Sequence, residues 1–218
     1  MKLDHTTSAL VIVGGWNSRI FTPPWIKKYL FPGENEDFTI EMPAPFSLDF
    51  NTQFISPRIS SKEVRILLQE NRLSFSPVEN RNEHFDQIQE LALQLADYLP
   101  HTPVTAYGVN FLFTEHPISE EMVNRIRPRD LEEFEQINDS LTSEQYTRRL
   151  SLYGRTLNFT VKLDGDKAAF DFNFHFKIGD LVAFKAKIAE ISILELKHEA
   201  VQFMSEIYHL ELEEELNE

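Results

Sequence analysis

His198 and Glu199 stand side by side in a segment of helical periodicity. On a helix such a pair begins the His-Glu-x-x-His arrangement, in which two histidines one turn apart grip zinc while the glutamate activates water. Position 202 is glutamine, so the second ligand is missing, and an exposed polar face or a helix-packing histidine accounts for the pair. His175, on an alternating strand, is a candidate ligand or general base, although a strand histidine bonded to a neighbour is the simpler role. His116, before Pro117, has no partner visible in the sequence. Asp164-Gly165-Asp166 matches the Asp-x-Asp spacing of some metal sites, but hairpin-turn chemistry explains it fully. Gly14-Gly15 lies between a strand and a helix, the context of a phosphate site, yet lacks a Gly-x-Gly-x-x-Gly or Walker pattern; a bend under Trp16 explains it. No Gly-x-Ser-x-Gly elbow is present. The chain has no cysteine, which excludes disulfides, thiolate metal sites and cysteine nucleophiles. No catalytic residue, metal or cofactor is therefore assigned.

Two groups remain as binding candidates. Gly15-Trp16-Asn17, followed by Phe21-Thr22-Pro23, is echoed by Gly108-Val109-Asn110, followed by Phe113-Thr114, at an offset of roughly 93 residues. A pseudo-twofold relation would bring Asn17 and Asn110 to related places, and with Asn158, His175 and several arginines they form a candidate site for a phosphorylated or acidic small molecule. Trp16, Trp25 and Tyr29, near Pro23-Pro24, supply an aromatic surface for a protein partner; core packing is the commoner use of such rings.

Charge narrows the partners. Among 218 residues, 35 acidic and 21 basic side chains leave a formal net charge of −14. Sequence-independent attraction to a phosphate backbone comes from clustered Lys and Arg. The densest basic segments here, Arg125, Arg127 and Arg129, then Arg148, Arg149 and Arg155, have acidic residues between them, which disfavours nucleic acid. No stretch reaches the roughly 18 apolar residues of a membrane span. The amino-terminal segment, with one lysine and an early aspartate, makes a poor signal peptide. The expectation is a cytoplasmic protein with a protein partner, a homodimer among the possibilities, and no membrane contact.

The elements that must position these residues follow from periodicity. Ala9 to Gly15 is β-branched and apolar and reads as a central strand. Pro23-Pro24 opens a short helix through Leu30. Phe38 to Met42 and Phe46 to Ile55 look extended, and Val64 to Leu68 and Arg72 to Ser76 form a hairpin. Asn82 to Leu99 has Phe85, Ile88, Leu91, Leu95 and Leu99 on one face of a helix. Val104 to Phe113 is a long strand whose Gly108 permits a bend or a close backbone approach. Ser119 starts a helix through about Ile126, and Pro128 separates it from a second piece, Asp130 to Ile137. Leu157, Phe159, Val161 and Leu163 alternate with polar residues; Asp164-Gly165 turns the chain; then Phe170, Phe172, Phe174 and Phe176 alternate with Asp171, Asn173 and His175. The phenylalanine face needs a cover, supplied by a helix from Ile193 to Tyr208 with Leu196, Ala200, Phe203, Met204 and Ile207 inward. The opposite face carries Asn158, Thr160, Lys162, Asp171, Asn173 and His175.

The fold expected is α+β: one curved antiparallel sheet with helices over one face. It forms a single domain, 1–218, of two pseudo-repeats with β-α-β(n)-α order, about 8–100 and 103–210, ending in an acidic tail, 211–218.

Val64 to Glu115, with its Pro103-Val104-Thr105-Ala106-Tyr107-Gly108-Val109-Asn110-Phe111 strand, resembles a sporadically distributed, uncharacterised bacterial protein family. The Asp-Phe-Asn-Phe strand and the Leu196-Lys197-His198-Glu199-Ala200 helix are similar to that family's ending. Gly14-Gly15-Trp16-Asn17 departs from its opening. The resemblance implies a bacterial defence or toxin-control setting. The order of elements is also similar to the duplicated fold of the TATA-binding protein, which implies helices on the convex side and an open concave face. Its DNA-bending role does not carry over to an acidic chain whose open-face residues are polar. The function expected is a non-enzymatic protein-interaction module, with small-molecule binding or enzymatic use of the open face as the alternative.

Overall fold

The computed structural model describes residues 1–7, 9–32, 38–41, 57–128, 143–152 and 154–213. The extended segment expected over Phe46 to Ile55, the helical piece over Asp130 to Ile137 and the end of the acidic tail lie outside them. The strands are β1 (Lys2–Leu3), β2 (Leu10–Gly14), β3 (Thr39–Glu41), β4 (Arg58–Ser60), β5 (Val64–Gln69), β6 (Arg72–Pro77), β7 (Val104–Glu115), β8 (Glu144–Leu152), β9 (Arg155–Asp164) and β10 (Lys167–Lys177). They make one open, curved, ten-stranded antiparallel sheet in the order β3-β4-β5-β6-β2-β7-β10-β9-β8, with β1 paired to the end of β7. The central strands are β2 and β7. Outward from β2 run β6, β5, β4 and β3; outward from β7 run β10, β9 and β8.

The helices are α1 (Pro23–Tyr29), α2 (Asn82–Tyr98), α3 (Glu120–Ile126), α4 (Leu181–Glu190) and α5 (Ile193–Phe203), which continues as a π-helical turn over Met204–Tyr208. Each start has a local cause. Prolines occupy the first turn of α1, where a missing N–H costs nothing. The side chains of Ser119, Asp180 and Ser192 accept from backbone amides at the starts of α3, α4 and α5, and Ser192 with Glu195 completes a reciprocal capping box. Hydrogen bonds from the Ser192 amide, and then from its hydroxyl, to the exposed Glu195 carboxylate hold that carboxyl below its ordinary value.

The alternation in β7, β9 and β10 buries Tyr107, Phe111, Phe113, Phe159, Phe170, Phe172 and Phe174, and α2, α4 and α5 lie over them. Phe85 of α2 meets Phe111, Phe184 of α4 meets Tyr107 edge-on at 5.0 Å, and Phe203 and Tyr208 both meet Phe159. Each buried ring contributes about 1.5–3 kcal/mol relative to exposure, which fixes these helices to this side and, among the described residues, leaves the other open. Ile207, expected inward, is 51% exposed, and Tyr208 is buried in its place. The π turn is wider than an α turn, so the inward positions run Ala200, Met204, Tyr208. The β9–β10 turn also differs from expectation: its two loop residues are Gly165 and Asp166, and only Gly165 has a positive φ, +59°. Glycine at the first loop position defines a type II′ turn.

Candidate functional site

Cross-strand register determines which residues share the open face. One row crosses the sheet through Arg58, Leu67, Ser74, Val11, Gly108, His175 and Thr156. The next row on the β7 side is Asn110, Asn173, Asn158 and Arg149. In that row the Asn158 Nδ2 donates to Asn173 Oδ1 at 2.8 Å, and the Asn173 Nδ2 donates to Asn110 Oδ1 at 2.6 Å. Three side-chain amides thus form one ladder across β9, β10 and β7. Beside it the Thr147 and Thr160 hydroxyls share a bond at 3.0 Å.

Gly108 makes room for the ladder. A Cβ at this position would stand 2.8 Å from Asn173 Nδ2. Of the two uses open to a strand glycine, bend or close approach, the second applies, and what approaches is a side-chain amide from the neighbouring strand.

The ladder borders a concavity of about 430 Å3 between the two wings of the sheet, whose walls include Thr7, Leu67, Arg72, Leu112 and Asp171. Val11 and Ser74 form its centre, and Arg72 is held by the Gln69 side chain. Restricted solvation in this hollow raises the Asp171 carboxyl above its ordinary value, and the Lys162 ammonium opposes the shift. Asp171 nevertheless keeps an exposed surface, so the hollow hinders its hydration without enclosing it. The Asp171 carboxyl, the Arg72 guanidinium and the amide donors and acceptors of the ladder equip the hollow for hydrogen bonding to a polar group.

The same registers sort the charges. The described part of the open face carries Lys2, Arg58, Arg65, Arg72, Arg149, Lys162, Lys167 and Lys177 against Glu41, Asp164 and Asp171. All eight cations are exposed, and among the described residues Lys2 alone forms an ion pair, with Glu213. Away from this face Arg81, Arg125, Arg127, Arg155 and Lys185 are each paired with a carboxylate. On the helical side α2 carries Glu83, Asp86, Glu90 and Asp97 with no lysine or arginine.

The residues singled out from sequence divide accordingly. Asn110, Asn158 and His175 share the open face, the two asparagines joined through Asn173. Asn17 does not join them: it is exposed in the turn after β2, where its Oδ1 accepts from the Arg19 amide. The two Gly-x-Asn segments therefore occupy unlike places, one past a strand end and one inside a strand. Trp16 is 4% exposed, donates from Nε1 to the Ile12 carbonyl at 3.1 Å and packs in the core. Trp25 and Tyr29 are half-buried and continue a chain of rings, Trp16–Phe21–Trp25–Tyr29–Tyr98, with centroid spacings of 4.8–6.4 Å. The amides of Gly14 and Gly15 are engaged by the Asn71 and Pro103 carbonyls, so neither points at a phosphate. His198 is exposed, Glu199 pairs with Arg155, and His116 faces Asp166 of the β9–β10 turn.

Sequence reasoning puts Asn173 on the open face without assigning it a role, and names Arg149 only as part of a basic segment. The Asn-Phe pattern in both strands of the β9–β10 hairpin was the available signal; the partner at Asn110 lies 63 residues from Asn173 and needed the fold.

Among the described residues no group of three or more His, Asp or Glu side chains converges as metal ligands, and no helix is long and apolar enough to cross a membrane. No family model and no curated protein matches the sequence.

Proposed function

We propose that this chain is a non-enzymatic protein-interaction module whose open sheet face is the recognition surface. One observation carries the reading: among the described residues α2, α4 and α5 cover one face of the sheet and leave the other exposed, with Val11, Val13, Leu67 and Leu112 near its centre and polar or charged side chains around them. An apolar centre inside a polar rim is the usual anatomy of a protein interface. A strand-built platform needs little reordering on binding, because its side chains are already held in register. The family resemblance suggests a bacterial defence or toxin-control system as the setting.

The duplication belongs to the same proposal. The mirrored order of strands outward from β2 and β7 supports it, whereas the Gly-x-Asn echo does not. A single domain of two pseudo-repeats accounts for both wings sharing one sheet.

A photo-crosslinking residue tests the reading at two exposed valines. Val13, 38% exposed, lies on the open face; Val182, 67% exposed, lies on α4 on the helical side. Irradiation of cells producing each variant at native level is expected to give protein adducts from position 13 and few from position 182. Equal adduct yields from the two positions, or none from position 13, would reject the open face as the recognition surface.

The polar concavity supports a second reading, a site for a small polar or acidic molecule held by Arg72, Asp171 and the asparagine ladder. Co-purified ligand identified by mass spectrometry, and lost in an Asn173→Leu variant that remains folded, would favour it over the first.

A further inference from the structure

We infer that the partner of the open face is a protein segment rich in carboxylates, bound through the excess of cations that ring the apolar centre. The inference rests on the open-face reading and adds the chemistry of what is recognised.

The chain carries a formal charge of −14, and a random distribution would leave each face acidic. The described part of the open face is the reverse, with Lys2, Arg58, Arg65, Arg72, Arg149, Lys162, Lys167 and Lys177 against three carboxylates. Among the described residues these cations, Lys2 apart, form no ion pair, whereas Arg127, Arg155 and Lys185 do elsewhere. Cations that outnumber the carboxylates among them repel one another, and an anionic partner relieves that repulsion. The positions matter as well. Arg58 and Arg65 lie on the β3–β6 wing, and Arg149 and Lys162 lie on the opposite wing. Between them are Val11, Leu67 and Leu112 and the asparagine ladder, so the charges sit at the rim and steer approach while the centre supplies contact area.

A protein segment fits better than a nucleic acid. A long polyanion continuing past the sheet would meet the acidic side of the molecule, where Glu83, Asp86, Glu90 and Asp97 have no basic neighbours on their helix. The surface also offers Val11, Leu67 and Leu112 at its centre, where phosphate recognition would call for more donors. A partner of bounded size, with apolar side chains flanked by Asp and Glu, matches both features.

The experiment uses the full chain with the crosslinker at Val13, comparing Arg65→Glu/Arg149→Glu with Arg65→Lys/Arg149→Lys. Both arginines are exposed and on opposite wings, and urea midpoints verify that each variant is folded. Charge reversal is expected to cut the adduct yield at least tenfold, as is raising salt from about 0.05 to 0.5 M. The lysine variant should stay within about threefold of the parent. The crosslinked peptide, sequenced by mass spectrometry, should be acidic.

If the adduct is undiminished by charge reversal, or the peptide is not acidic, the inference fails and the open-face reading stands. A nucleic-acid adduct overturns the inference and the protein-partner reading together. Absence of any adduct at position 13 overturns both as well.

Discussion

Replacing Gly108 with alanine tests whether the asparagine ladder depends on the missing side chain beside it. The new Cβ would lie 2.8 Å from Asn173 Nδ2, while Asn110 Oδ1 and the Phe174 carbonyl stand at 3.6 and 3.8 Å. The last two are ordinary contacts, so the overlap falls on the Asn173 amide alone. Rotating that amide away breaks its bond to Asn110, its bond from Asn158, or both. At about 0.5–1.5 kcal/mol net per hydrogen bond, the loss is about 1–3 kcal/mol when both bonds go and about half that when one survives. Alanine also narrows the unfolded ensemble, which returns about 0.4–1 kcal/mol. The expected net destabilisation is about 1–2 kcal/mol, or about 2–8 °C in Tm for a chain of this size. In an Asn173→Ala background no amide remains to be displaced, and the Gly108→Ala substitution should be neutral or slightly stabilising. Urea unfolding of the four proteins completes the cycle, with unchanged m-values as the condition for comparing midpoints. Equal costs in the two backgrounds would refute the assignment of Gly108 to the ladder.

Three further expectations follow from other parts of the fold. A Cβ on Gly14 would meet the Pro103 carbonyl at 2.5 Å and Val104 Cγ1 at 2.8 Å, whereas one on Gly15 meets only Pro103 Cγ at 3.3 Å; Gly14→Ala should cost about 1–3 kcal/mol in urea unfolding, and Gly15→Ala distinctly less. Arg155→Ala strands the Glu199 carboxylate, whose Oε2 is already buried without a hydrogen-bond partner. The side chains are 22% and 19% exposed, so roughly 2 kcal/mol is expected, below the loss from a fully buried pair, and Glu199→Gln in the Arg155→Ala background should recover part of it. Burial first, then the Glu190 carboxylate, raises the Tyr107 phenol against the pull of Arg155; burial likewise raises Tyr208 against Arg148. The folded state then keeps these protons after the unfolded chain has released its own, so stability is full below pH about 10 and falls as pH rises beyond it. Denaturation between pH 9 and 11 should show that decline, reduced in Tyr107→Phe and Tyr208→Phe; an identical decline in both variants would refute the assignment.

Local pattern alone carried much of the architecture. In α2 the apolar residues recur at three and four, and in the β9–β10 hairpin two strands alternate about a glycine turn, so each element is specified within a few residues of itself. Elsewhere the signal was ambiguous. In β8 the adjacent Arg148 and Arg149 interrupt any apolar alternation, and the strand was not anticipated. Nor was α4, whose Leu-Val-Ala-Phe opening suits a strand or a helix until Asp180 caps it. The π turn that exchanges Ile207 for Tyr208 depends on a small change of helical pitch that composition does not encode.

The sequence by itself determined that this is an acidic, cysteine-free α+β chain with a phenylalanine-lined sheet face requiring a helical cover, because burial and alternation act over short distances. Only the tertiary structure decided what the opposite face holds. Asn110, Asn158 and Asn173 become one ladder, and cations spread from Arg58 to Lys177 collect on one side, through the register of strands far apart in the chain. Register is set by turns and core packing acting together across the whole sheet, and a shift of one residue would send every one of these side chains to the other face.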